Sequence, residues 1–327
     1  MRLIGFILVI IIIFWSSYWW IVTQKIENSI TSWFYQNHSN QDLSFNTITT
    51  AGYPNRADIS IKKFSYHNFD SDLSISADLI QFLSLIYDKS HLISIIKPPI
   101  EIKLKKSHLK ILGPAIKSSL KIGSDKKLIE LISEGQNLKL EDKKNNVWTL
   151  KKILFATEKL DKKNPEAFRS HLSINNIAIP TNYFNLGTTH SLLSKEIKTL
   201  SISSEIYLTK NLNDIPEFDK KIKATDFTVN IVWDSIDLGI DGNFELSDKA
   251  VLTGSFKFKL RDWQSALTSI ENKSILDEKS YKKINAALTF LASQTSLNRY
   301  DLTFPLTVKD NVIFLGPIKM GKINLDY

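Results

Sequence analysis

Carboxylate and imidazole side chains are the groups in this sequence that could perform acid–base chemistry. Asp234, Asp237 and Asp241 lie close together, and paired carboxylates hydrolyse glycosidic bonds in many enzymes. Asp237 and Asp241 fall on the polar side of an alternating segment, where aspartate is ordinarily solvated. A hydrolase would need a pocket in which several polar groups converge, for instance Asp234, Arg261 and His171.

Other catalytic signals are missing from the sequence. The six histidines are far apart, and none has a second ligand type at the spacing of a metal site. They are His38, His67, His91, His108, His171 and His190. Cysteine is absent, and there is no G-x-S-x-G elbow, phosphate-binding glycine loop or H-E-x-x-H helix. We therefore predict a protein that is not an enzyme, with no catalytic residue, metal site or cofactor.

The N-terminal segment is the most informative part of the chain. Leu3–Val22 contains no charged residue and is long enough to cross a hydrocarbon core of roughly 30 Å. Its C-terminal end is crowded with aromatic residues, as in the belt at a membrane interface. These are Trp15, Tyr18, Trp19 and Trp20. A cleaved signal peptide would have a shorter apolar stretch followed by small residues, so an uncleaved transmembrane anchor is favoured.

The flanks of this segment favour one orientation. Arg2 is positive, whereas Lys25 is offset by Glu27, so the positive-inside tendency places the N-terminus in the cytoplasm and the body across the membrane. No later segment reaches a spanning length, which predicts a single pass. Apolar residues continue at helical spacing beyond the span and predict a stalk. They are Ile26, Ile30, Trp33 and Phe34.

The body of the chain alternates apolar and polar residues. Residues 236–246 and 252–260 alternate on either side of a short turn, which predicts an antiparallel hairpin. Similar segments at regular intervals predict a long antiparallel, curved meander sheet. Helices are few: Asp262 caps one that begins at Trp263, and another covers Asp277–Ser293. The predicted class is therefore α+β, β-dominated, preceded by one N-terminal transmembrane helix.

The domain prediction follows from the lack of a linker rich in Pro, Gly or Ser. Residues 1–36 are predicted to form the transmembrane anchor and stalk, and residues 37–327 one sheet-rich domain. The alternative is two sheet-rich lobes that join near Asn164–Phe168 or Asn211–Phe218.

Positive charge is concentrated in one window. Lys89–Lys163 contains 18 lysines, no arginine and 8 acidic residues, so its net charge of +10 exceeds the +8 of the whole chain. Such a region could attract anionic lipid or an acidic envelope partner. The alternative is that lysines fill the solvent faces of strands and protect sheet edges. Nucleic acid is not a predicted partner, because the aromatic residues follow the apolar alternation.

Short motifs in a fixed order relate the chain to a known family. Gly52, Tyr53 and Pro54, followed by Arg56 and an alternating strand, resemble the opening of an uncharacterised Gram-negative bacterial family, domain of unknown function 2125. Other matching passages are Lys97, Pro98 and Pro99, where the family more often has Trp-Pro-Pro; Asp262 and Trp263 in "LRDW"; the helical stretch after them; and Leu302–Gly321 with Gly316 and Pro317.

The resemblance implies a membrane-anchored periplasmic protein of the inner membrane, with no activity, cofactor or catalytic residue to carry over. The long sheet is also similar, at the level of fold, to envelope proteins of the AsmA type, whose curved sheets handle lipids. We predict that the chain binds lipid or a membrane-associated partner. An envelope hydrolase and a structural interaction module remain the alternatives. Gly52 and Pro54 are predicted to form a turn that leads the stalk into the first strand, rather than to frame a ligand.

Overall fold

The computed structural model describes residues 2–35, 41–88, 90–105, 107–125, 127–160, 167–180, 196–208, 222–234, 236–247, 250–272, 278–295, 301–315 and 318–323. Most of these residues lie in antiparallel strands, with few helices and an apolar helix at the N-terminus. The predicted β-dominated α+β class is therefore confirmed. Gly316, Pro317, His38 and His190 lie outside the described residues.

The helices are α1 (Arg2–Tyr35), α2 (Trp263–Asn272) and α3 (Glu278–Thr295). α1 is one continuous helix, and its Leu3–Ser32 stretch is long and apolar enough to span a membrane. Because α1 continues beyond Val22, the predicted extension of the helix is confirmed; the side chains of Trp33 and Phe34 lie outside the described part. Asp262 caps α2, since its carboxylate accepts a hydrogen bond from the backbone N–H of Ser265 at 3.4 Å.

The strands have the following bounds: β1 Gln41–Ser44, β2 Thr47–Ala51, β3 Arg56–Asn68, β4 Leu73–Leu85, β5 His91–Leu104, β6 Ser107–Leu112, β7 Ile116–Ile122, β8 Leu128–Asp142, β9 Val147–Lys159, β10 Ala167–Ala178, β11 Glu196–Leu208, β12 Ile222–Trp233, β13 Ile236–Leu246, β14 Leu252–Arg261, β15 Leu302–Lys309, β16 Val312–Leu315 and β17 Ile318–Lys322.

Residues 1–147 form one compact unit, unit 1, and residues 148–327 form another, unit 2. In unit 1, β3 pairs with β1, β2 and β4, and β4 pairs with β5. β5 is long enough to pair with two strands: His91–Ile96 lies beside β7 and Ile100–Leu104 beside β6. Both β6 and β7 then pair with β8. The predicted division at residues 36 and 37 stays a prediction.

Unit 2 is a meander in which each strand from β9 to β17 pairs with the next. The predicted hairpin is present as β13 and β14, with Ile240 opposite Phe258 at its centre. β15 and β16 are joined by Asp310 and Asn311, which both have positive φ, as a two-residue turn between antiparallel strands requires.

Each unit has a small buried cluster where a helix meets the strands. In unit 1, Ile26 and Ile30 of α1 pack against Ile59 and Ile61 of β3. In unit 2, α2 and α3 enclose a cluster of Trp263, Leu267, Ala292 and Leu302, with Leu260, Tyr281 and Leu288 around it. These helices bury only part of the apolar surface that the strands present.

Candidate functional site

The turn from Gly52 to Arg56 requires glycine at its first position. Gly52 has φ +99°, a backbone conformation that residues with a side chain rarely adopt. A Cβ there would lie 2.9 Å from the carbonyl oxygen of Arg56. The backbone N–H of Arg56 donates to the Gly52 carbonyl at 2.9 Å and closes the turn directly before β3. The turn that the sequence predicts at Gly52 and Pro54 is therefore present.

This turn contacts α1 through hydrogen bonds. The indole N–H of Trp15 donates to the Pro54 carbonyl at 2.9 Å, and that of Trp19 donates to the Arg56 carbonyl at 2.7 Å. The hydroxyls of Ser16 and Tyr53 lie 2.8 Å apart, and the rings of Trp19 and Tyr53 meet edge to face at 5.5 Å. We call this contact the helix–turn junction. It satisfies two backbone carbonyls beside the apolar part of the helix.

Charged and polar groups surround the junction on its strand side. Arg56 forms an ion pair with Asp58 at 2.7 Å, so its charge is paired. The hydroxyl of Thr50 donates to Glu27 at 3.1 Å, one turn beyond the fully buried Thr23. The spacing of Trp15, Ser16 and Trp19 places them on one helix face, but no local pattern connects that face to the distant turn.

The family motif at Pro98 and Pro99 lies at a break in the alternation of β5. The pairing of β4 with β5 shifts between Ala77 and Leu79, and β3 is irregular at Lys63, which has positive φ. Lys63 and Asp78 form an ion pair at 2.7 Å at this point. A depression of about 230 Å³ follows the line of irregularity. It is lined by Lys63, Phe64, Ser65, Ser76, Ala77, Asp78, Pro99 and Glu101.

The next family motif, Asp262 and Trp263, lies where β14 ends and α2 begins. Trp263 is 1% exposed and is the central side chain of the cluster between α2, α3 and β15. Its position explains why an indole is suited to this point, because it fills the space between two helices and the sheet.

The three residues predicted for a hydrolytic site, Asp234, Arg261 and His171, do not lie together. His171 on β10 hydrogen-bonds to Ser203 at 2.8 Å, whereas Arg261 on β14 binds Asp237 and, at 3.3 Å, Asn230. Three strands lie between β10 and β14, which corresponds to about 19 Å at the usual strand spacing. Asp234 instead lines a cleft of about 580 Å³. The other residues of that cleft are Asn175, Asn176, Glu196, Lys198 and Thr199.

The carboxylates of β13 are matched by cations on β14. Asp237 pairs with Arg261 and Asp241 pairs with Lys259, all on the polar face of the sheet. On β10, which is separated from β13 by two strands, the guanidinium of Arg169 donates to Glu205 at 2.9 Å and lies 3.2 Å from Glu158. The hydrogen bond to Glu205 is the main reason that the pKa of Arg169 is raised. Among the described residues, no group of three or more acidic and histidine side chains could hold a metal ion.

The opposite face of unit 2 carries two continuous rows of apolar side chains, which we call the apolar rows. Each row takes one residue from each of seven neighbouring strands, β9 to β15, in register. The first row is Phe155, Leu172, Ile202, Val229, Ile240, Phe258 and Phe304. The second row is Ile153, Ile174, Leu200, Ile231, Leu238, Leu260 and Leu302.

These apolar rows remain partly exposed. Thirteen of their side chains are half-buried, and only Leu302, beneath the helices, is fully buried at 1% exposure. Seven strands at the usual spacing span about 29 Å, so the rows form a long apolar strip. The row between them faces the other side of the sheet and is mostly polar; it is Leu154, Ser173, Ser201, Asn230, Gly239, Lys259 and Thr303.

The basic window of unit 1 is partly neutralised by its own carboxylates. Glu101 lies within 3.7 to 3.9 Å of Lys103, His108 and Lys110, and Lys121 pairs with Glu130 at 3.0 Å. Lys103, Lys110 and Lys121 are therefore paired within the sheet, while attraction of an anionic partner by the window stays a prediction.

Comparison with known proteins gives one match. The sequence model of the family described as "Uncharacterized protein conserved in bacteria (DUF2125)" matches residues 19–324. No curated protein and no solved structure matches the chain. The match includes every motif on which the resemblance was based and most of the chain after the apolar N-terminal segment.

Proposed function

Given that the chain belongs to the DUF2125 family of uncharacterised bacterial proteins, we propose that it is a membrane-anchored envelope protein that binds lipid acyl chains along the apolar rows. The single observation that supports this proposal is the half-buried state of thirteen apolar side chains in two unbroken rows. Folding normally buries such a surface, because each square ångström of apolar area left in water forgoes about 25 cal/mol. Large apolar surfaces of this kind commonly bind membranes, ligands or other proteins.

The chemistry of the rows suits a chain of methylene groups. The side chains are aliphatic or phenyl, and Phe258 stacks on Phe304 with ring centres 4.8 Å apart. The rows run across the strands for about 29 Å, which exceeds the length of an extended acyl chain of a phospholipid. Hydrolysis of a substrate, or binding of a polar ligand, would need polar groups that converge on this face. The residues at the fourteen row positions provide none.

We further propose that α1 is the anchor and that the N-terminus is cytoplasmic, with the body in the periplasm. The stretch Leu3–Ser32 has the length and hydropathy for a span, and Leu3–Phe14 is exposed along its whole length. Lysines of the basic window would then supply positive charge toward anionic headgroups. This arrangement would place the lipid-binding face in the compartment where an envelope protein handles phospholipid or lipopolysaccharide.

Photocrosslinking in intact membranes tests the lipid proposal. Benzoylphenylalanine is placed at Phe258, on the apolar rows, or at Lys257, the adjacent exposed residue on the polar face. After irradiation of the full chain, mass spectrometry should find phospholipid or lipopolysaccharide adducts at position 258 and few at position 257. Because the two positions are neighbours on one strand, a difference in adduct yield between them reports which face of the sheet contacts lipid and not the level of expression.

Two results would contradict lipid binding. Equal adducts at positions 257 and 258 would indicate nonspecific capture by the surrounding membrane. A single protein adduct at position 258, with no lipid, would favour the structural interaction module instead.

A further inference from the structure

We propose that one end of unit 1, made of three loops with the described residues 52–55, 86–88 and 90, and 123–125 and 127, contacts the headgroup layer of the bilayer on the side where the body lies. This inference rests on the proposed anchoring by α1 and goes beyond it, because it assigns a second membrane-contacting surface. The partner that it names is a phospholipid bilayer interface.

The strand pairing brings these loops to the same end of the sheet. Arg56 at the start of β3 lies opposite Leu85 at the end of β4, and the backbone N–H of Ile86 donates to the Asn55 carbonyl at 3.1 Å. The β5–β7 and β7–β8 pairs end beside them, where the N–H of Ile122 donates to the Ser90 carbonyl at 2.8 Å.

The helix–turn junction determines how α1 meets this end. Trp15 contacts Pro54, Trp19 contacts Arg56, and Ile26 packs farther along β3 at Ile59 and Ile61. The helix therefore runs alongside β3, and residues before Trp15 extend past the loops. All of the residues from Leu3 to Phe14 are exposed.

The length of the helix decides the depth of the loops. Leu3–Phe14 is about 18 Å long at about 1.5 Å per residue, which is too short for a hydrocarbon core of roughly 30 Å. The full apolar run to Val22 is about 30 Å long and does reach across. Spans range upward from about 17 residues, and Leu3–Trp19 has 17, so the outer end of the hydrocarbon core lies between Trp19 and Val22. The loops that contact Trp15 and Trp19 therefore lie at the outer interface.

The side chains of these loops suit such a position. Tyr53 is 52% exposed and Tyr87 is 67% exposed, and tyrosine is enriched where membrane meets water. The indole N–H groups of the junction satisfy the Pro54 and Arg56 carbonyls, which would otherwise be costly to place near hydrocarbon.

One charged residue limits how deep the loops can lie. Asp88 accepts hydrogen bonds from the hydroxyl and the backbone N–H of Ser90, at 2.6 and 2.9 Å, and these bonds lower the pKa of its carboxyl. A carboxylate that stays charged fits the headgroup layer and not the hydrocarbon core.

The test uses fluorescent labels on single cysteines, because the chain has no native cysteine. Tyr87→Cys and Asn55→Cys report on the loops, and Asn55→Cys leaves both tyrosines in place. Phe69→Cys is the matched control, since Phe69 is 60% exposed in the β3–β4 turn, at the opposite end of strands about 40 Å long. Ile11→Cys reports on the anchor. Each full-length variant is reconstituted in vesicles of phosphatidylethanolamine and phosphatidylglycerol.

A nitroxide quencher on the lipid headgroup should quench the labels at positions 55 and 87 several-fold more than the label at position 69. Equal quenching at positions 55, 69 and 87, with strong quenching of position 11 by a nitroxide on the acyl chain, would overturn this inference and leave the anchor intact. Absence of quenching at position 11 would overturn both the anchor and the loop contact.

Discussion

The indole N–H of Trp19 donates to the backbone carbonyl of Arg56 at 2.7 Å, and so joins the apolar helix to the start of the first long strand. Under the proposed anchoring this carbonyl faces lipid, where the loss of its donor costs about 1–3 kcal/mol. We therefore expect Trp19→Phe, which removes the N–H and keeps an aromatic ring, to lower the free energy of unfolding by about that amount. Chemical denaturation of the full chain in detergent micelles measures the change.

Trp20→Phe is the matched control for this substitution. Trp20 is 61% exposed, so the same chemical change should alter stability by less than about 0.5 kcal/mol. Equal losses for Trp19→Phe and Trp20→Phe would show that the indole–carbonyl bond contributes nothing measurable.

A second prediction concerns the glycine that opens the turn. Gly52→Ala should lower stability by about 1–2 kcal/mol or more, because alanine resists positive φ and its Cβ would meet the Arg56 carbonyl at 2.9 Å. Gly321→Ala is the control, since a Cβ at Gly321 meets nothing within 4 Å. Thermal unfolding of both variants and of the unsubstituted chain measures the change in stability that each substitution causes. A Gly52→Ala protein as stable as Gly321→Ala would mean that the turn can rearrange freely.

Local patterns in the sequence predicted much of this fold. Period-two alternation predicted the hairpin of β13 and β14, and uninterrupted apolar residues predicted α1, because both signals depend on neighbours in the chain. No strand was predicted at β1, β2, β4 or β10. Their sequences are short or rich in serine and threonine, and the neighbouring strands determine that they pair.

The surfaces on which the proposed function depends could not be predicted in the same way. The contact of Trp15 with Pro54 joins residues 39 positions apart, and no local pattern encodes that distance. The apolar rows depend on the register of seven strands, in which a slip of one residue in any strand would move its side chain to the other face. The sequence therefore supplied the apolar residues but not their alignment.

A third prediction concerns the tryptophan of the family motif at the start of α2. Trp263→Ala should lower the free energy of unfolding by about 3–5 kcal/mol, because the indole is 1% exposed among Leu267, Ala292 and Leu302. Phe290→Ala removes another large aromatic ring from α3, but Phe290 is 65% exposed and should tolerate the change. Denaturant unfolding curves compare the two. A loss at position 263 as small as that at position 290 would mean that the helices do not depend on the indole.

A fourth prediction tests the apolar rows as a lipid-binding surface. Ile202→Lys places a charge in the middle of the first row and should reduce lipid adducts at position 258 several-fold, because a charged group is costly on an apolar face. Ser201→Lys places the same charge on the adjacent polar-face residue of β11 and should leave the adducts unchanged. Adduct yield is measured by mass spectrometry after irradiation. Both variants should first be shown to reach the membrane in similar amounts.

If Ile202→Lys and Ser201→Lys lower the yield of lipid adducts at position 258 equally, the lipid proposal is contradicted. The loss would then depend on the added charge and not on the face of the sheet that carries it. An undiminished adduct in Ile202→Lys would contradict the lipid proposal as well, because the lipid would then lie elsewhere.

The last prediction concerns orientation, on which the envelope functions depend. With Arg2 before the apolar run and the run itself without charge, a reporter that is active only after export should be active when fused behind Tyr327. Ile11→Arg places a charge near the centre of the span, at about 2.5–3.5 kcal/mol on insertion scales, and should weaken anchoring and reporter activity. Gln24→Arg introduces the same side chain beyond Val22, where the charge can reach water, and should leave the activity intact. Strong activity of a cytoplasm-only reporter at the same position would reverse the orientation and remove the periplasmic lipid proposal with it.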